Sequence, residues 1–112
     1  MSDAGDLAAA LAELAVEYRT KLGPRLDALD ALHAALVAGQ GEAGRNQKLQ
    51  DLRRELHTIA GSAKTFGLPA VTDAARAGEH FLDPLCDAGK APGAAEWAAL
   101  KLLLEALRRA AG

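Results

Sequence analysis

Of the three histidines in this 112-residue chain, His57 has the surroundings of a nucleophile. It lies in the run LRRELHTIAGSAKTFG, residues 52–67, which reads as a helix with Gly61 one turn past the imidazole. A glycine inside a helix costs about 1 kcal/mol relative to alanine, so something there needs bare backbone beside the ring. At about 100° per residue, Leu49, Leu52, Leu56, Ile59, Ala63 and Phe66 form one apolar sector. Gln50, Arg53, Arg54, Gly61 and Lys64 cluster around His57, well away from that sector. Arg53 is one turn below the histidine, Gly61 one turn above and Lys64 two turns above.

Free imidazole titrates near pH 6.5, so at pH 7 roughly three-quarters of such rings carry a free lone pair on one nitrogen. Offered to a partner, that lone pair can take up a phosphoryl group through a weak N–P bond and pass it on. Gly61 leaves the approach uncrowded, and Arg53 and Lys64 are cations within reach of the incoming negative charge.

The run from His57 to Gly67 (HTIAGSAKTFG) resembles the phosphoacceptor motif of histidine-containing phosphotransfer (HPt) domains. Its Thr-Phe-Gly ending is also similar to the phosphotransfer domain of chemotaxis histidine kinases. The resemblance implies that His57 accepts a phosphoryl group from a receiver-domain aspartate or a kinase and delivers it to another receiver. It implies response-regulator receiver domains and sensor histidine kinases as partners, docking around Gly61, Ser62, Arg54 and Gln50. It also implies that Mg²⁺ sits on the partner, with no cofactor or metal held by this chain. At one position the chain departs from the motif: the family usually has lysine three residues after the histidine, and here that residue is Ala60. Lys64 and Arg53 are the expected electrostatic substitutes.

The composition dictates an all-α fold. With 27 Ala and 19 Leu against three Val, one Ile and four Thr, there is little from which to build a sheet. The length suits a single domain over residues 1–112. An aromatic content of 4% supplies no platform for stacked bases, and a net charge of −2 disfavours nucleic acid as a partner. Cys86 is the sole cysteine, which rules out an internal disulfide. No apolar run reaches the 18 or more residues of a membrane span, and no signal peptide opens the chain, so the expected location is the cytoplasm.

In chain order, Asp6 is placed to cap a first helix on which Leu7, Leu11, Leu14, Tyr18 and Leu22 share one face. On its reverse side Ala9, Ala12 and Val16 are ordinary surface residues or a weak docking patch. Gly23-Pro24 predicts a kink or a break, with the helical pattern resuming to residue 38 through Leu26, Leu29, Leu32 and Leu36. A loop over 39–44 precedes the His57 helix, residues 45–66, which Gly67 ends as a left-handed cap before Pro69 opens the next. That helix, 69–85, carries a face of small residues: Val71, Ala74, Ala75, Gly78, Leu82 and Leu85. After a loop over 87–93, a last helix, 94–110, buries Trp97, Leu100, Leu103, Leu104 and Leu107. The expected architecture is an antiparallel four-helix bundle with an additional or kinked N-terminal helix, monomeric by default because its stripes can satisfy one another.

His33 reads as a boundary residue that snorkels to solvent or bonds a carboxylate, and His80 as a surface residue beside Arg76 and Asp73. Dispersed histidines and the lack of a phosphate-cradling glycine loop weigh against an autonomous enzyme or a metal carrier. The rival reading is a non-catalytic adaptor bundle, which has no need of His57. A chain opening at Met1 favours a stand-alone module over the excised front of a chemotaxis-type kinase.

Overall fold

The structure is a computed structural model that describes residues 3–39, 44–89 and 91–112. Four helices account for nearly all of them: α1 (Asp3–Val37), α2 (Arg45–Thr65), α3 (Pro69–Ala88) and α4 (Ala94–Ala111). Most of the 39–44 loop and Lys90 lie outside the described residues.

Each helix buries one stripe of leucine and alanine, and the stripes meet in a single core. Leu22, Leu29, Leu49, Leu52, Leu56, Ile59, Leu82, Leu100 and Leu107 are all shut off from solvent. Side-chain ties fix the directions. Tyr18 reaches Ile59 and Ser62, Arg25 pairs with Glu55, and Arg108 pairs with Asp27 and Asp30, so α1 runs antiparallel to both α2 and α4. The expected antiparallel four-helix bundle is what forms.

Pro24 sits inside α1 without breaking it. An interior proline costs about 3 kcal/mol. Leu22 and Leu26, on either side of it, are buried in the same core, and burial of each contributes about 1.5–3 kcal/mol. The additional N-terminal segment is therefore a continuation of α1. Asp6 does not cap it, because the helix already begins at Asp3; in the first turns Asp6 still complements the positive helix end.

A 35-residue helix is about 52 Å long, whereas the 18 residues of α4 span about 27 Å. The N-terminal turns of α1 consequently run past the end of the bundle, and the molecule extends 59 Å along its longest axis but 22 Å across. Leu7, Leu11 and Leu14 continue the buried face of α1 yet are 61%, 50% and 45% exposed. Tyr18, stacked on Phe66 at the end of α2, marks the level where packing begins.

The tightest pairing is between α2 and α3. Gly78 faces Leu56 so closely that a Cβ there would lie 3.0 Å from the leucine Cδ1. The turn between these helices is a Schellman motif: Leu68 N–H donates to Ala63 O and Gly67 N–H to Lys64 O, with Gly67 at φ +69°. Proline at the start of α3 then needs no helical donor. This short turn sets the register that builds the site.

Candidate functional site

Folding α2 and α3 back on each other about Leu68 brings residues equally distant from it in sequence to the same level. His57 meets Glu79, and Arg53 meets Asp83. The His57 side chain is 76% exposed, and its Nδ1 lies 2.5 Å from Glu79 Oε2, a carboxylate only 15% exposed. A carboxylate accepts, so Nδ1 carries the proton and donates it. The lone pair is thereby left on Nε2, which has no hydrogen-bond partner among the described residues. Gln50, Arg53, Arg54, His57 and Glu79 line a shallow open cleft of about 300 Å³.

Glu79 is a residue of the candidate site that sequence patterning alone does not single out. Its signal was available only through the turn: it lies as far after Leu68 as His57 lies before it.

The other residues singled out from the sequence divide into two groups. Gly61 is exposed, and a Cβ built on it meets nothing within 4 Å, so no packing inside the chain requires glycine there. Lys64 is exposed and lines a second cleft with Thr72, Asp73 and Arg76. Gln50 and Arg54 flank His57 as expected, Arg54 beside Asp51 at 3.6 Å.

Arg53 and Ser62 are engaged elsewhere. Arg53 Nη1 is 3.4 Å from both Asp83 and Asp87, and its Nη2 donates to Gln50 Oε1 at 2.7 Å. Desolvation pulls the Arg53 pKa down, but Cys86, Asp87 and Asp83 outweigh it and hold the pKa above its ordinary value. Ser62 Oγ donates to Thr58 O at 2.6 Å and shares a hydrogen bond with the Tyr18 hydroxyl, which ties α2 to α1. Ala60 is buried, 3% exposed.

The remaining histidines have structural surroundings. His33 sits half-buried at the boundary, as expected, and meets a carbonyl instead of a carboxylate. Its Nε2 is 3.2 Å from the Trp97 carbonyl and its ring meets the indole edge-on, because α4 places a backbone oxygen at that boundary. It borders a groove of about 990 Å³ between α1 and α4, away from the α2–α3 face that carries His57. His80 is exposed, 3.5 Å from Asp83, its i+3 neighbour; Asp73, the carboxylate expected beside it, lies two turns back. Half-buried Cys86 has its thiol pushed up by burial, with Arg53 pulling against that rise and Asp87 and Asp83 adding to it.

Among the described residues no helix is long and apolar enough to cross a membrane, and no group of three His, Cys, Asp or Glu is set to hold a metal ion. No individual characterised protein and no solved structure matches the chain. The family profile of the Hpt domain matches residues 4–110, nearly the whole length. An exposed histidine held by a carboxylate on a bundle of four helices fits that match, and the chain belongs to the Hpt domain family, with a histidine phosphotransfer role in two-component signalling.

Proposed function

We propose that His57 is the phosphoacceptor of a phosphorelay intermediate, taking its phosphoryl group from a receiver-domain aspartyl phosphate or a sensor kinase and passing it to another receiver. The observation that carries this reading is the pairing of an outward imidazole with Glu79 at Nδ1, which leaves Nε2 open.

In the forward step the Nε2 lone pair attacks phosphorus in line. The N–P bond forms as the P–O bond to the aspartyl carboxylate breaks, and the carboxylate leaves with the bonding pair. Nδ1 keeps its proton, so the ring becomes an imidazolium whose charge Glu79 offsets. Delivery to the next receiver is the same step reversed. Such transfer asks the protein mainly for positioning and charge compensation.

The partner docks over the His57 face, with Gly61 giving clearance and Gln50 and Arg54 at the rim. Mg²⁺ belongs to the partner. Among the described residues, the one carboxylate lining the His57 cleft is Glu79, which is already engaged by the ring. The domain acts as a single monomeric unit in the cytoplasm.

The test is radiolabel transfer from phosphorylated receiver domains to the wild-type chain and to His57→Gln. Label on the wild type and none on the variant is the expected result. Equal labelling of both would move the acceptor elsewhere, and binding without any labelling would favour a non-catalytic adaptor.

A further inference from the structure

We infer that Arg76 of α3 is the cation that binds the phosphoryl group carried by His57. The inference rests on the acceptor reading above and names a residue of the same site.

The register of α2 against α3 carries it. His57 with Glu79 and Arg53 with Asp83 fix the pairing, and the same pairing sets Arg76 opposite Ala60, one turn from the acceptor. On α3, Arg76 precedes Glu79 by three residues, the spacing that puts two side chains on one strip of helix surface. A turn rises 5.4 Å, a distance a guanidinium arm spans. Nothing on α2 stands in its way: Ala60 is buried and Gly61 has no side chain.

Availability separates Arg76 from the other cations. Arg53 is held between Asp83 and Asp87, and Arg54 leans on Asp51. On the flank toward α1, Lys21 and Arg25 stand beside Thr58 and Ser62, with Arg25 paired to Glu55. Arg76 and Lys64 make no side-chain ion pair or hydrogen bond among the described residues, although Asp73 lines the same cleft. Lys64 lies two turns from His57 on α2, whereas Arg76 lies one turn from Glu79, the residue that holds the acceptor ring. A planar guanidinium also matches phosphoryl oxygens two at a time. Glu79 adds negative charge beside the acceptor, which makes a free cation there more necessary.

Phosphoramidate, a small donor that releases ammonia as its P–N bond breaks, tests this without any docking partner. Wild type, Arg76→Ala, Arg76→Lys, Lys64→Ala and His57→Gln are each treated with it, and the pH midpoint of the phosphohistidine ³¹P shift is titrated in those that take up label. A bound cation favours the dianion, so Arg76→Ala should raise that midpoint by about 0.5 pH unit and slow labelling about threefold, as loss of one exposed ion pair does. Arg76→Lys should restore most of the shift, and Lys64→Ala should move it less. A wild-type midpoint in Arg76→Ala, or an effect found in Lys64→Ala instead, overturns the assignment to Arg76 while leaving His57 as acceptor. Equal labelling of wild type and His57→Gln overturns the acceptor reading and the inference with it.

Discussion

His57 Nδ1 and Glu79 Oε2, 2.5 Å apart, join the middle of α2 to α3 and decide which ring nitrogen is free to react. The histidine is mostly exposed and its partner mostly buried, so the bundle holds the ring from behind and leaves its outer edge to solvent.

Removing that hold should cost reactivity more than stability. Glu79→Ala should slow phosphoryl transfer to His57 roughly a hundredfold, the lower end of what a positioned acid–base partner contributes. Glu79→Gln, which can still accept from Nδ1 but carries no charge, should fall between. Labelling rates from a phosphorylated receiver domain check this, and a Glu79→Ala rate equal to wild type would contradict it.

Gly61 should trade against function in the opposite sense. No internal contact demands glycine there, so Gly61→Ala should raise stability by about 0.5–1 kcal/mol through helix propensity. The same methyl group should slow transfer from a receiver domain while leaving labelling by phosphoramidate unchanged. Thermal melts and the two labelling rates separate these effects.

The two halves of α1 should respond differently to truncation. Leu22 is 1% exposed and Leu11 50%. Leu22→Ala should lose about 2–5 kcal/mol, and Leu11→Ala less than about 1 kcal/mol. Urea unfolding of the two variants measures the difference; equal losses would mean that the overhanging turns are packed in solution.

Cys86 makes stability sensitive to alkali. Burial raises its thiol above the ordinary value of 9.0, so the folded chain holds that proton more tightly than the unfolded one. The contribution is fully present below the unfolded value and is lost as pH rises through the folded one. Stability should therefore fall above pH 9.0, and Cys86→Ser should flatten that part of the curve. Alkylation of the folded protein should likewise need a higher pH than a free thiol.

What was legible in the sequence follows from the range of the interactions involved. The face bearing His57, Gly61 and Lys64, and the leucine stripe opposite, are properties of one helix and follow from its period. The cap at Gly67 and the start at Pro69 are local as well. Glu79 and Arg76 enter only through the register between two helices, and the same register commits Arg53 to Asp83 and Asp87. The leucines at 7, 11 and 14 keep the spacing of a buried stripe beyond the end of the helices that could cover it, and period alone does not reveal that end. Pro24 misleads for a related reason, since the core on both sides of it outweighs its local preference.

The most direct measurement is to phosphorylate uniformly ¹⁵N-labelled protein and read the long-range ¹H–¹⁵N correlations of the histidine rings. Phosphorus on Nε2 of His57, with Nδ1 still protonated against Glu79, is the predicted result. Phosphorus on Nδ1 of His57, or on His33 or His80, would contradict it.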